Sequence, residues 1–440
     1  MDAQTLFDQI AGIVSAALQP GERFTCYLTG EDSDFVRLNN NKVRQAGHVE
    51  QRYLSIDLIE GARHTVGVLP LSGAPGADRA GVEALMGDLR AQRPFVKEDP
   101  YLHYAEEVRS SEDIRPSSLP AAEQAIAAVT RAGEGLDLVG IWASGNLFRG
   151  FANSFGQRNW FQTATFNFDW SCYHQKDKAV KCGYAGFDWD EETLNARMEQ
   201  ARREVETMAL PPKTVPPGKY RAYLAPQALA ELVGLLGWGG FGLKNHRTGN
   251  TPLVKMVKEG KRFDPAVEIT EHHAKGMSPS FTEEGFILPE RVVLIEKGQL
   301  RGALTASRSS KEFGEPVNAG SEFPRSLFMG PGGLPDSEVL ERLDTGVYIN
   351  NLWYCNYSDR NDCRLTGMTR FASFWVENGK IRAPLEVMRF DDSLYRMLGE
   401  GLIGLTEAPQ FIFDPGTYFE RSTTVLELPG LLVEDFQFKL

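Results

Sequence analysis

Histidine and cysteine are scarce in this 440-residue chain, which holds seven of the first and five of the second. The cysteines, Cys26, Cys172, Cys182, Cys355 and Cys363, are odd in number and none belongs to a C-x-x-C pair. Their spacing excludes a zinc knuckle and leaves free thiols of a reducing compartment as the expectation. Basic excess is also missing. A net charge of −12 and a pI near 5.3 argue against a broad nucleic-acid footprint or an anionic membrane surface as partner. No apolar run approaches the roughly 18 residues of a membrane span. The start, MDAQTLFDQIAGIVSAALQP, carries acids and lacks the basic region of a signal peptide. A cytoplasmic protein that binds neither membrane nor nucleic acid is expected. The chain also lacks a P-loop and a G-x-S-x-G elbow. Gly399-Glu400-Gly401-Leu402-Ile403-Gly404 fits G-x-G-x-x-G only formally, because a helical stretch precedes it, and it reads as a turn.

What is present is a mixture of helical and alternating patterns. Residues 4–18 place Leu6, Ile10, Ile13, Val14, Ala17 and Leu18 on one helical face, closed by Pro20-Gly21. Strand-like segments follow at 24–28, 34–38, 42–46 and 51–59. FVRLNNNKVRQAG reads as a hairpin turning on its asparagines, which tolerate positive φ. Helical periodicity returns at 78–92, 120–132 and 190–208, with a strand at 136–142 and a candidate hairpin at 146–155. QTATFNFDWSCYH, residues 162–174, alternates as a half-exposed strand does. Its aromatics, with Trp160 and Phe161, therefore read as a sheet face rather than a base-stacking platform.

LPPKTVPPGKY, residues 210–220, holds four prolines and can be neither helix nor central strand. The expected division is therefore an N-terminal domain 1–210, a linker 211–220 and a β-rich C-terminal domain 221–440. After a strand at 221–224, PQALAELVGLL (226–236) predicts an apolar helix. Ala230, Val233, Gly234 and Gly237 keep one of its faces small, as close packing against backbone would require. A polar loop is expected to about residue 284, then strands at 291–296 and 299–307, and a short helix at 337–343. A hairpin at 371–387 turns on Glu-Asn-Gly, a short helix covers 393–398, and two strands end the chain. The fold class is α+β, with mainly antiparallel sheets.

Six segments in order carry a resemblance: FVRLNNNKVRQAG, ANSFG (152–156), APQALAELVG, VVLIEKGQLRGALTASRSSKEFG, DTGVY and FWVENGKIRAPLEV. Together they resemble the PmbA/TldD family over nearly the whole length. The resemblance implies a cytoplasmic zinc metallopeptidase made of two related subunits. One, TldD-like, carries an HExxxH helix and a C-terminal Cys as ligands; the other, PmbA or TldE, lacks them and helps to enclose the peptide. Aligned on that helix, the hexad falls on Ala230-Glu231-Leu232-Val233-Gly234-Leu235, so only Glu231 survives and Ala230 and Leu235 replace the histidines. The cysteine would fall near Arg421-Ser422-Thr423, where there is none. This chain thus resembles the metal-less subunit, with no catalytic residue and no metal of its own. Zinc is expected only in a TldD-like partner, and unfolded peptide as substrate.

Other residues could rebuild a site. Glu271-His272-His273 is the one histidine cluster in the sequence, although adjacent side chains point apart and chelate poorly. Its ordinary role is a solvated loop or a hydrogen bond to a partner or peptide. His246, in KNHRTGN, reads as a surface residue. Cys355, among Asn, Tyr and Trp, is the best thiol candidate, but a nucleophile would need a nearby base. Glu231 without a metal reads as structural, and 329–335 as either a channel cover or a plain connector. Three readings stay open: the metal-less subunit of a heterodimer, a stand-alone homodimeric peptide-binding or scaffold protein, and a metallopeptidase using His272 and His273 as unusual ligands.

Overall fold

The computed structural model describes residues 2–175 and 178–439. The first part of the chain runs α1 (Ala3–Ala16), β1 (Arg23–Asn39), β2 (Lys42–Glu60), β3 (Arg63–Pro70), α2 (Pro75–Gln92), β4 (Ser111–Ile114), α3 (Ala122–Ala132), β5 (Asp137–Asn153), β6 (Arg158–Gln175), β7 (Lys178–Gly186) and α4 (Glu191–Met208). Next come β8 (Gly218–Leu224), α5 (Pro226–Gly237), α6 (Leu243–Thr248), α7 (Val254–Glu259), β9 (Ile269–Glu271), β10 (Val292–Glu296), β11 (Gln299–Leu300), α8 (Ser307–Phe313), β12 (Ser326–Met329) and α9 (Val339–Leu343). The rest is β13 (Gly346–Ile349), β14 (Trp353–Asp359), β15 (Arg364–Met368), β16 (Ser373–Glu377), β17 (Lys380–Pro384), β18 (Arg389–Ser393), α10 (Leu394–Met397), β19 (Leu402–Leu405), β20 (Gln410–Phe413), β21 (Val425–Leu428) and β22 (Leu431–Phe438).

The described residues form three sheets. A seven-stranded sheet has the order β3-β2-β1-β5-β6, with β4 and β7 both on β6. A six-stranded sheet runs β11-β10-β9-β12-β21-β20, and a nine-stranded one β14-β15-β18-β22-β8-β13-β16-β17 with β19 on β22. Among the described strands only the β4–β6, β12–β21 and β8–β13 pairings are parallel, so the fold is α+β with mainly antiparallel sheets.

Local chemistry accounts for the elements. Asp2 caps α1 by accepting the Thr5 N–H at 2.8 Å, and Asp190 caps α4 through the Thr193 N–H at 2.9 Å. The β1–β2 hairpin turns on Asn40 and Asn41 at φ 48° and 53°, and β16–β17 on Asn378 and Gly379 at 50° and 68°. Leu6, Phe7, Ile10 and Val14 of α1 pack with Phe24, Leu28, Leu54 and Ile56 of the sheet. Burial of each large apolar side chain stabilises by about 1.5–3 kcal/mol. A second cluster joins α3 and α4 to Trp142, Phe166, Phe168 and Trp170, and reaches Phe374 of β16.

Several expectations are corrected. Residues 146–155 form no hairpin: they are the end of β5, and the turn comes after Asn153. Within that strand a Cβ at Gly150 would lie 2.8 Å from the Phe7 ring, so this residue is small because α1 crosses the strand. The polar stretch to 284 contains α6 and α7, each ended by a glycine at positive φ, Gly249 and Gly260. Of 299–307 only Gln299 and Leu300 are strand, and α8 starts at Ser307. The 162–174 alternation holds in two runs of opposite phase: Thr163 and Thr165 are buried on one face, then Phe166, Phe168, Trp170 and Cys172 on the other, with the residues between them partly exposed.

Candidate functional site

Helix α5 begins with Pro226 at its first turn and buries Ala228, Leu229, Leu232 and Leu236 completely. The opposite stripe, Gln227, Ala230, Glu231, Gly234 and Trp238, recurs at helical spacing and lines a cavity of about 670 Å³. This corrects the expected close packing in part. Nothing lies within 4 Å of a Cβ built at Gly234, so the stripe is open there, whereas Val233 is fully buried and a Cβ at Gly237 would lie 3.6 Å from Pro324.

Three other walls come from distant parts of the chain. Alternation in β6 turns Asn167 and Asp169 toward the cavity, and β7 adds Lys181, Gly183 and Ala185. Strand β20 supplies Phe411, Ile412 and Phe413, and β14 supplies Cys355. Both β7 and β20 are edge strands of their sheets, so two rows of main-chain groups border the same space. Trp238 and Phe323 line it while 62% and 57% exposed, which leaves aromatic surface at its rim.

Charge in the cavity is confined to a few groups. Desolvation pushes the Asp169 carboxyl up, and Lys181 partly offsets this. Glu231 is raised for the same reason, with Lys181 opposing and Asp169 adding to the rise. Burial, with a smaller push from Glu231, drives the Cys355 thiol up to about 12, so at neutral pH it is a protonated thiol and not a nucleophile.

The segment where the family's cysteine would fall sits on an adjoining small space, which shares Asn167, Asp169 and Phe413 with the main cavity. Arg421 fills that place. Its guanidinium donates to Ser33 Oγ at 3.0 Å, to Thr165 O and Oγ1 at 3.1 Å and to Gly145 O at 2.7 Å, with Glu31 3.8 Å away. It is 4% exposed, and burial lowers its pKa to about 10. The chain therefore brings the two expected ligand segments to neighbouring spaces. The residues there do not fit a zinc ion: Ala230 and Leu235 have no donor atom, Glu231 is the one acceptor on the hexad, and Lys181 and Arg421 add positive charge. Among the described residues no group of three or more His, Cys, Asp or Glu is placed to hold a metal.

The remaining candidates lie apart from Cys355. His273 is not in a solvated loop: it is buried directly after β9 and donates from Nδ1 to Pro289 O at 2.8 Å. Its other nitrogen is 3.8 Å from Glu271, a carboxyl that desolvation raises to about 7 and that accepts the Arg325 and Ser326 N–H groups. His272 instead lies against Phe328, with ring centroids 5.5 Å apart. His246, expected at the surface, sits on α6 and donates from Nε2 to Gly240 O at 2.7 Å, fixing the glycine-rich exit of α5. Residues 329–335 are a connector, tied by Gly330 N to Glu268 O and by Leu334 N to Leu405 O. Asp169, Lys181 and Arg421 were not singled out from the sequence. The alternation of β6 carried a signal for Asp169 alone.

Residues 217–439 match the family model of the PmbA/TldA metallopeptidase C-terminal domain. No curated protein matches the chain. Among solved structures, TldE from Thermococcus kodakarensis is similar over 99% of this chain and 100% of that one, with a TM-score of 0.75 at 14% identity. A Thermotoga maritima protein described as a candidate modulator of a DNA gyrase matches over the whole of both chains, at TM-score 0.72 and 15% identity. A Bacteroides thetaiotaomicron protein with a similar description gives 0.72 and 15% over 99% of this chain and 98% of its own. At such identities these likenesses establish the fold.

Proposed function

Because the chain belongs to the PmbA/TldD metallopeptidase family, we propose that it is the metal-less, PmbA/TldE-like subunit of a TldD-type peptidase. Its role is to form part of the wall of a chamber that receives unfolded peptide. The observation that carries this reading is the cavity itself, where the donor-poor stripe of α5 faces two edge strands, β7 and β20. An extended peptide can add to such an edge through main-chain hydrogen bonds, which requires little of its sequence. Apolar Phe411, Ile412 and Leu327 would accept its side chains, and Lys181, Asp169 and Glu231 would meet its polar groups. A volume of about 670 Å³ suits a few residues of extended chain rather than a folded domain.

The exposed Trp238 and Phe323 at the rim fit a paralogous TldD-like subunit, which would contribute zinc, the water-activating carboxylate and the remaining wall. They would also suit a second copy of this chain, the stand-alone homodimer. Residues 1–210 and 221–440 are proposed as separate domains joined by 211–220, and limited proteolysis at that segment tests the division.

The test is cleavage of an unfolded peptide by the purified chain alone, by an HExxxH-bearing paralogue alone, and by the mixture. Cleavage by the mixture, with none by this chain alone and a mixed complex in analytical ultracentrifugation, supports the proposal. Cleavage by this chain alone overturns it, and a stable homodimer indifferent to the paralogue favours the second reading.

A further inference from the structure

A second cavity, of about 570 Å³, lies between α4 and the nine-stranded sheet, and shares only Lys181, Gly183 and Gln227 with the first. One end of it is aromatic and rich in acceptors. Tyr223 and Tyr348 have ring centroids 5.1 Å apart, and Phe374 follows at 6.3 Å from Tyr348. Around them stand Glu204, Asp336 and Asn350.

Glu204 is 9% exposed and accepts from Gln200 Nε2 and Asn350 Nδ2, each at 2.9 Å. The cation that acts on it, Arg203, is on the solvent side and pairs with Glu199 at 3.6 Å. Asn350, 8% exposed, keeps a buried Oδ1 with no partner. A buried carboxyl without a cation beside a buried acceptor without a donor is a costly arrangement in a closed protein.

The positive groups of the cavity are engaged elsewhere. Arg197 donates to Gly183 O at 2.6 Å and lies over the Tyr184 ring, while Lys181 sits on the wall shared with the first cavity. The start of α5, which also borders this space, offers an anion little. Pro226 has no N–H, and the Ala228 and Leu229 N–H groups are taken by Ala225 O. The free chemistry at this end is therefore acceptor and π-face.

We propose that this second cavity binds an alkylammonium group, its charge held between Glu204 and Asn350 Oδ1 and against the faces of Tyr348 and Tyr223. A charged amine on a desolvated carboxylate and aromatic rings is a strong combination, because each component gains when water is excluded. The ammonium could arrive as a free amine or as a lysine side chain; the chemistry is the same. Binding also moves a proton. Desolvation holds the free Glu204 carboxyl up to about 7, with Arg203 on its own helix opposing; Cys182 of β7, Tyr223 of β8, Tyr348 of β13, Asp336 and the cations Arg197 and Lys181 are the other titratable or charged groups about the site. The ammonium favours the carboxylate, so a proton leaves to solvent on binding. The site is independent of whether peptide is cleaved by a partner subunit.

The test is isothermal titration calorimetry of the full chain at pH 6.5 with n-butylamine, with Nα-acetyl-lysine amide and with Nα-acetyl-norleucine amide as the uncharged control. At least one ammonium probe should bind tenfold or more tightly than the control, the scale of one charge-assisted hydrogen bond. Its heat should vary with the buffer's ionisation enthalpy as proton release requires. Glu204→Gln removes the charge and keeps one of the two hydrogen bonds, since Gln200 and Asn350 donate to different carboxyl oxygens; it should lose that tenfold while remaining folded by circular dichroism. Tyr348→Leu should weaken the ammonium probe more than the control. Binding of n-butylamine alone identifies a free amine, and binding of the lysine amide alone identifies a peptide side chain. Equal affinity for charged probes and control, or full affinity in Glu204→Gln, overturns the proposal.

Discussion

The two segments where the family resemblance would place metal ligands have met opposite fates. On α5 the ligand face has become open: Gly234 meets nothing, and Ala230 and Glu231 border a cavity. At the C-terminal segment the place has been filled, and Arg421 fastens the loop to the seven-stranded sheet through Ser33, Thr165 and Gly145. A site whose residues do not fit zinc is thus not simply empty space. One part of it is free to touch another molecule, and the other has become structure. Substitution should therefore be tolerated on the first and punished on the second.

The largest expected effect is at Arg421. Arg421→Ala strands Glu31, 2% exposed, without its cation and removes four hydrogen bonds, and should cost about 3–5 kcal/mol in urea unfolding. Arg421→Lys should recover little, since one ammonium cannot reproduce a guanidinium fork. A wild-type midpoint in either variant would break the comparison.

Next comes the contrast between the two faces of α5. Leu232→Ala on the buried face should cost about 2–4 kcal/mol by leaving a void. Gly234→Ala on the cavity face should instead stabilise, by up to about 1 kcal/mol, because a mid-helix glycine is replaced without a clash. Equal losses at both positions would mean that the small stripe is packing surface after all.

A smaller effect follows from pH. Desolvation raises Glu204 and Glu271 to about 7 in the fold, against 4.5 for an ordinary Glu. The folded state therefore holds more protons than the unfolded one between those values. The stability they contribute is full below about pH 4.5 and is lost as pH rises toward 7. Glu22 behaves oppositely: its desolvation is outweighed by Arg90 and Arg93, which hold it at about 2, so its contribution fades as pH falls below 4.5. Glu271→Gln, which keeps an acceptor for the Arg325 and Ser326 N–H groups, should flatten the loss of urea midpoint between pH 5 and 7. An unchanged slope would count against a protonated Glu271.

How much of this was legible in the sequence depends on range. The turns at Asn40-Asn41 and Asn378-Gly379 and the bounds of α5 were readable because each rests on neighbours in the chain. Periodicity also showed which residues of α5 share a face. It could not say what that face meets, since a small stripe serves close packing and an open cavity alike. The meeting of β7 and β20 beside α5 joins residues more than 200 apart, and no local pattern records it. Arg421 was passed over because an arginine in a loop is ordinarily exposed, and only the sheet folded against it reveals four hydrogen bonds to one guanidinium. The supposed hairpin at 146–155 fails for a related reason: Gly150 within it is small because Phe7 of α1 lies against it, not because a turn needs it. Gly249 and Gly260 did carry helix-stop signals for α6 and α7, but those helices are too short for periodicity to announce.

The most direct measurement is fluorescence anisotropy of a labelled unfolded peptide titrated with the wild-type chain and with Gly234→Phe, each with and without the HExxxH-bearing paralogue. The phenyl group would fill the open stripe of α5 while leaving its buried face intact. Saturable binding by the wild type, weakened at least tenfold in a variant of unchanged melting temperature, is the predicted result; tenfold is the scale of about 1.4 kcal/mol. Equal binding by the two would contradict the claim that this face of α5 is where peptide is received.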